Sequence, residues 1–233
     1  MNRHVNEGPL IPSARSGEVS YLQSSDRSVT GIILAGGRGK RLGGVDKAFI
    51  HLKKTPMIER VLEVVKGVCD DIIVVSRTRE DYLHYDVRSV EDLVPGAGPL
   101  GGLYTGLKAS NSSINFIVAC DMPFLNGQFI QYMVDRFCST DILIPRLNGF
   151  VEPLHALYSR ACIPAIEDAL KAGERKLKSF FHKVSVTVVE EHKITPFDPE
   201  LRMFTNINNS DDMKAAEERM QGDEQPHRYH GRN

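Results

Sequence analysis

Leu34 to Ala48 reads LAGGRGKRLGGVDKA, and it overlaps the end of Thr30 to Ala35 (TGIILA), a short β-branched apolar run halted by Gly36 and Gly37. An apolar run broken by paired glycines reads as a buried strand entering a loop. The loop carries five glycines (Gly36, Gly37, Gly39, Gly43, Gly44) and four cations (Arg38, Lys40, Arg41, Lys47). Glycines permit positive φ and let backbone N–H groups converge on an anion without a Cβ in the way. Cations among them neutralise several phosphate oxygens together. The chemistry indicated is polyphosphate binding. A Walker A loop is excluded, because Gly44-Val45-Asp46-Lys47 separates glycine from lysine and no Ser or Thr follows. A dinucleotide fingerprint is excluded as well, since Gly37-Arg38-Gly39 continues as Lys40, Arg41 and Leu42. The alternative of a basic linker fits poorly with a position straight after a buried strand.

Outward from the loop, strands and helices alternate. Pro56 opens a helical pattern with Ile58, Val61, Leu62, Val65 and Val68 on one face. Asp71 to Ser76 (DIIVVS) reads as a strand, Val87 to Val90 as a short one, and Leu100 to Ala109 as a helix. Ile114 to Cys120 is another apolar strand. Phe129, Met133 and Phe137 mark a helix face ahead of strand Asp141 to Pro145. Beyond Arg146, Gly149 to Tyr158 reads as extended, Arg160 to Lys171 as helical, Val184 to Glu190 as extended and Ser210 to Met220 as a last helix. Apolar strands alternating with amphipathic helices predict a single α/β, Rossmann-like domain, its central sheet mostly parallel and helices on both faces. The second half extends that sheet with more mixed strand directions.

Composition sets the outer bounds. Of 233 residues, 41% are hydrophobic and 25% charged, and 29 Lys plus Arg against 30 Asp plus Glu leave a net charge of -1. That balance argues against nucleic acid or an anionic membrane as the main partner. The four cysteines, Cys69, Cys120, Cys138 and Cys162, have neither zinc spacing nor the density of a disulfide framework. With no apolar leader pattern near the start, the expected compartment is the cytoplasm. Residues 1–29 and 221–233 read as polar, flexible extensions flanking a domain at 30–220.

Several further residues carry possible chemistry. Asp121 follows the strand Ile114 to Cys120, where ligands bind in open α/β sheets. It is either a turn or helix-cap aspartate before Pro123 or a hard oxygen ligand for Mg²⁺. Gly96 to Gly102 (GAGPLGG) is a second glycine-rich turn entering a helix, and Ala172 to Lys176 (AGERK) is a basic turn. His155 alternates with apolar neighbours and reads as a satisfied structural histidine in preference to a general base.

The loop resembles the signature LAGG-x-x-x-R-hydrophobic-G-x-x-K of nucleotidyltransferases that act on nucleoside triphosphates. With Gly-Gly-x-Asp-Lys at 43–47 it is similar to the molybdenum cofactor guanylyltransferases, the MobA type, over about residues 30–220. The resemblance implies a nucleotide-diphospho-sugar transferase-like fold and transfer of GMP from GTP to molybdenum–molybdopterin, with release of pyrophosphate. It implies catalytic roles for Arg41 and Lys47 on the triphosphate and for Asp121 as the Mg²⁺ ligand. Leu34, Ala35, Gly36 and Gly37 would border the nucleotide on the guanine side, with Val75 (or Ser76) near the base or ribose and Asp92 beside the guanosine. Asn206-Ile207-Asn208 matches the family's late Asn-x-Asn, although Asn209-Ser210-Asp211-Asp212 replaces the usual Thr-Pro-Glu-Asp. Ser210 or Asp211 is expected to cap the helix that follows. The basic turn at 172–176 matches an Ala-Gly-Glu-Arg segment that faces the second substrate. Other molybdenum-cofactor proteins and acceptor apoenzymes are implied as partners. Cytidylyltransferases of the same cofactor, sugar-phosphate nucleotidyltransferases and a non-catalytic nucleotide or pterin carrier are the rival readings. Leu34-Ala35-Gly36-Gly37 favours guanine over cytosine, and an intact Arg41, Lys47 and Asp121 stand against a carrier.

Overall fold

Within each apolar strand, alternate side chains feed two separate cores, and this is what fixes the layering. In the computed structural model, which describes residues 27–35 and 46–223, the chain forms β1 (Val29–Leu34), β2 (His51–Leu52), β3 (Thr55–Pro56), α1 (Met57–Lys66), β4 (Asp71–Ser76), β5 (Arg88–Glu91), α2 (Gly98–Ala109) and β6 (Ile114–Ala119). It continues with α3 (Gly127–Arg136), β7 (Ile142–Leu147), β8 (Phe150–Val151), β9 (His155–Ser159), α4 (Ile163–Lys171), β10 (Val186–Glu190) and α5 (Ser210–Asp223). Ile33, Val74, Phe116 and Val118 pack with α1 and α3 on one face, whereas Ile32, Ile73, Val75 and Ile117 pack with α2 and α4 on the other. The strands are apolar throughout because both of their faces are covered.

The main sheet runs β10-β7-β9-β6-β1-β4-β5, with β8 also on β7. β1 pairs in parallel with β4 and with β6, and β4 in parallel with β5. The chain therefore leaves β1 in one direction and returns to β6 on its other side, which makes the β1–β6 boundary a topological switch point. The mixed second half comes from β9, antiparallel to both β6 and β7. β10 is again parallel to β7.

Helix α1 starts after Pro56 as expected, but it ends at Lys66, so Val68 lies past Gly67 and outside the helix. The first turn expected in α4 is instead a 3₁₀ turn, Arg160–Cys162, capped by the Ser159 hydroxyl oxygen, which accepts from Ala161 N at 3.1 Å. Periodicity alone did not reveal the β2–β3 hairpin or the 3₁₀ segments Arg79–Tyr85 and Leu177–Lys183. The extensions 1–29 and 221–233 fall largely outside the described residues. Arg27 nevertheless donates to the Phe137 carbonyl at 3.2 Å, and α5 continues to Asp223.

Two glycines set how closely helices approach β1. A Cβ on Gly106 of α2 would run into Ile32, and one on Gly31 would run into Val65 of α1. His155 is fully buried between Phe116, Phe129 and Phe204, with ring centroids at 5.2, 5.8 and 4.7 Å. It is structural, as expected, but not satisfied: among the described residues neither ring nitrogen has a hydrogen-bond partner. Burial pushes its pKa down to about 3.

Gly106→Ala should therefore lower stability by about 1–3 kcal/mol through overpacking, read from urea denaturation. Gly127→Ala, whose methyl would meet Val64 and Val68 at an ordinary 3.6 Å, should cost nothing measurable. His155 folds as the neutral ring, so its contribution is intact above the unfolded pKa and is lost as the pH falls toward 3. Between pH 7 and pH 5 the wild type should lose about 2 kcal/mol more unfolding free energy than His155→Leu. Parallel losses in the two proteins would contradict this.

Candidate active site

The carboxyl ends of β6, β1, β4 and β5 lie side by side, with Ala119 opposite Leu34, Leu34 opposite Val75, and Val75 opposite Val90. Directly beyond β6 come Cys120 and Asp121, so the strand delivers a carboxylate to the switch point. Cys120 is buried and its thiol is pushed well above the usual range by desolvation. It behaves as a small core residue, not as a nucleophile.

Lys47 arrives from the opposite side on a short 3₁₀ turn, Lys47–Phe49. Asp46 builds that turn, its Oδ1 accepting from Ala48 N at 3.1 Å, while Ala48 is buried in the α1-side core. The motif's aspartate thus acts as a cap that displays the lysine. The Lys47 Nζ lies 3.7 Å from Asp121 Oδ2, an ion pair without a direct hydrogen bond, and donates to Asn208 Oδ1 at 2.8 Å across 161 positions of sequence.

Asn208 is held there by its neighbours. Ile207 is fully buried against Leu52, Met57 and Ala216, and its N–H bonds to the Asp121 carbonyl at 2.9 Å. The helix that follows is capped by Asn209, not by Ser210 or Asp211 as expected. Asn209 Oδ1 accepts from Asp211 N and Asp212 N at 2.9 Å each, and Asp212 Oδ2 accepts in return from Asn208 N at 2.7 Å. This reciprocal box replaces the absent Thr-Pro start.

Burial raises the Asp121 pKa above its ordinary value, and Lys47 only partly opposes the effect. A partly desolvated carboxylate at a strand end, whose nearby lysine is directed to another acceptor, suits a divalent cation. Among the described residues no group of three or more His, Cys, Asp or Glu converges to cage a metal. Mg²⁺, the expected ion, is commonly held by one or two carboxylates together with water and substrate phosphates.

The remaining expected residues fall into two groups. Leu34, Ala35 and Val75 sit at the same edge. However, the Leu34 carbonyl accepts from Cys120 N at 3.2 Å and the Ala35 amide donates to the Val75 carbonyl at 2.9 Å. Those two backbone groups belong to the sheet and are not free for a ligand. Asp92 follows β5, three strands from Asp121, or about 14 Å at normal strand spacing. Its Oδ1 accepts from Val94 N at 3.0 Å and from the Thr105 hydroxyl at 3.1 Å, tying the glycine-rich turn onto α2. One of its oxygens is thus structural. Gly36, Gly37 and Arg41 lie outside the described residues.

Residues 31–188 match the model of the MobA-like NTP transferase domain. The chain is 39% identical over 191 residues to the molybdenum cofactor guanylyltransferase of Desulfosudis oleivorans, covering 82% of this chain and 95% of that protein. It is 37% identical over 185 residues to the protein of the same name from Syntrophotalea carbinolica, covering 78% and 88%. Among solved structures, molybdopterin-guanine dinucleotide biosynthesis protein A from Archaeoglobus fulgidus superposes with a TM-score of 0.72 at 29% identity, covering 83% of this chain and 99% of that one. The 4-diphosphocytidyl-2C-methyl-D-erythritol synthase of Anaerococcus prevotii, at 17% identity and a TM-score of 0.62 over 83% of this chain and 96% of that one, shares the fold.

Asp121→Asn should leave the ligand-free protein as stable as the wild type or more so, by up to about 2 kcal/mol, because it removes a desolvated charge from a functional position. The wild type should gain thermal stability when Mg²⁺ is added with a nucleoside triphosphate, and the variant should not. A marked loss of ligand-free stability in the variant would make Asp121 a structural residue.

Proposed function

Because the chain belongs to the MobA-like NTP transferase family, we propose that it transfers the guanylyl group of GTP to molybdenum–molybdopterin, giving the guanine dinucleotide cofactor and pyrophosphate. The observation that carries this reading is the convergence of Lys47, Asp121 and Asn208 at the switch point of the sheet. The relatives named as molybdenum cofactor guanylyltransferases support the choice of substrates.

In the reaction a terminal phosphate oxygen of the acceptor bonds to the α-phosphorus of GTP, while the bond from that phosphorus to the β-phosphate oxygen breaks. The electron pair leaves with pyrophosphate. The attacking group is already anionic, so no side chain need serve as nucleophile or strong base. Catalysis then rests on alignment and on neutralising charge. Lys47, steadied by Asn208, places a positive charge where negative charge accumulates on the leaving pyrophosphate, and Arg41 is assigned to the same phosphates. Asp121 would hold Mg²⁺ with the nucleotide phosphates; the ion, when bound, offsets phosphate charge and helps fix their alignment. Asp92 and the ends of β1 and β4 border the nucleoside.

The substrates are small and water-soluble, and no described helix is long and apolar enough to cross a membrane. A cytoplasmic enzyme fits both points.

The test is incubation of the protein with molybdopterin, Mg²⁺ and labelled GTP, with separation of dinucleotide and pyrophosphate. Turnover is expected with GTP. It should fall at least about a hundredfold in Lys47→Ala, which loses charge stabilisation at the leaving group. Preference for CTP, or activity only with a sugar phosphate acceptor, would overturn the substrate assignment. Full activity in the variant would overturn the role of Lys47.

A further inference from the structure

The proposed site uses the carboxyl ends of β6, β1, β4 and β5 and leaves unexplained what stands beside them, at the ends of β7 and β9. Both β6 and β7 are antiparallel to β9, so β7 is parallel to β6 and its Arg146–Leu147 end shares the edge with Asp121. There Asn148 and Gly149, at φ 48° and 81°, turn the chain back into β8, where Phe150 pairs with Leu147. Positive φ at both central residues marks the two-residue turn that suits a twisted hairpin. Glu191 fixes the turn, its Oε2 accepting from Asn148 N at 2.8 Å. Phe150 is 70% exposed on this rigid mount.

Two residues further on, the Glu152 N–H donates to the Pro145 carbonyl at 2.9 Å. Residues 152–154 then bulge before β9 begins with His155 opposite Val118. Because β9 runs against β6, the residues preceding His155 lie toward Ala119, Cys120 and Asp121. The bulge is held in place: the Pro153 carbonyl accepts from the Tyr158 hydroxyl at 2.9 Å, and the Glu152 carbonyl accepts from His155 N at 3.1 Å.

The Glu152 side chain is partly buried, and among the described residues no hydrogen bond and no ion pair reaches its carboxylate. Burial raises its pKa, with Lys178 opposing from a distance. Glu152 is not among the buried polar groups left without a partner, so its carboxylate keeps contact with solvent and can accept from a ligand. It lies two residues along the chain from the exposed Phe150, toward the edge that carries Asp121 and on the side away from the nucleoside end marked by Asp92.

Resting on the guanylyl-transfer reading, we propose that Phe150 and Glu152 form the acceptor's pterin subsite, with the flat ring system packed on Phe150 and Glu152 accepting the 2-amino group and the adjacent ring N–H. A pterin presents those two donors side by side on one edge, the pattern a carboxylate accepts with both oxygens. Stacking supplies affinity for any pteridine, whereas the carboxylate discriminates by the 2-amino group. Glu152 is thus a specificity residue for the acceptor and takes no part in the phosphoryl chemistry.

The test is equilibrium binding followed by pteridine fluorescence, without GTP, using pterin (2-amino-4-oxopteridine) and lumazine (its 2,4-dioxo analogue). Wild-type protein should prefer pterin by roughly tenfold to a hundredfold, the range for a hydrogen bond to a charged group. Glu152→Gln should abolish that preference with its melting temperature unchanged. Phe150→Ala should weaken both ligands alike. In steady-state assays Glu152→Gln should raise KM for molybdopterin and leave KM for GTP unchanged. Equal binding of the two pteridines by the wild type, binding of neither, or a preference that survives in Glu152→Gln would overturn the proposal. Pterin selectivity dependent on Glu152 in a protein that forms no guanine dinucleotide would uphold the subsite and overturn the guanylyl-transfer reading instead.

Discussion

A parallel strand covered on both faces and paired along both edges leaves little room for polar chemistry along its length, so such chemistry has to leave at its ends. β1 is that strand here, held between β4 and β6 and pressed by α1 and α2 through Gly31 and Gly106. Its one buried hydroxyl, on Thr30, is satisfied at the amino end by donating to the Ser112 hydroxyl at 2.7 Å. The carboxyl end is bonded through Leu34 and Ala35 to its neighbours and leads into the glycine-rich stretch. With β4 and β6 parallel to it, their ends gather at the same edge, the switch point at which ligands bind in open α/β sheets. The position of the site follows from the sheet before any functional residue is considered.

What the site adds is a sharing of charges that none of its members settles alone. Asp121 is carried toward the core by β6 and is only partly compensated by Lys47. Lys47 divides itself between that carboxylate at 3.7 Å and the Asn208 oxygen at 2.8 Å. Asn208 depends on the buried Ile207 and on a capping box at the start of α5. Each group is fixed by structure, and among the described residues the burial of Asp121 is only partly offset. On the guanylyl-transfer reading, a ligand carrying many negative oxygens together with a divalent cation would stabilise it further. The chain's net charge of -1 is no guide to this, because attraction for polyphosphate is set over a few ångströms.

Legibility in the sequence followed the physics of each element. β1, β4 and β6 were readable because burial on both faces forces continuous apolar runs, and α1 because one buried face forces a spacing of three and four. The antiparallel course of β9 was beyond sequence periodicity, since a fully buried strand reads the same in either direction. Asp121 and Lys47 were readable as candidates from strand ends and loop chemistry. Their mutual distance was not, being set by the Asp46 cap and by the bond from Ile207 to the Asp121 carbonyl. Leu34 and Ala35 were expected to present backbone groups to a nucleotide; the Leu34 carbonyl and Ala35 amide instead complete the ladder, which runs to the last residues of the apolar runs at Ala35 and Cys120. The Asn-Gly pair at 148–149 is a hairpin signal at the start of the segment, Gly149 to Tyr158, expected to be extended throughout.

That hairpin bears on how the two halves of the sheet divide their work. The parallel half, β5-β4-β1-β6, ends in helix-bound turns and in the short cap that displays Lys47, a setting suited to the compact charges of a triphosphate. The mixed half ends in a stiff β-turn carrying an exposed ring and in a bulge carrying a half-buried carboxylate that, among the described residues, accepts no hydrogen bond. A parallel strand must cross over through a long connection, usually a helix, whereas an antiparallel pair can close in two residues and project a side chain on a rigid stalk. The change of direction at β9 therefore has a chemical consequence. It substitutes an aromatic and a hydrogen-bond acceptor for the cations and glycines of the other side, and so pairs a flat, donor-edged acceptor with a polyanionic donor across Asp121.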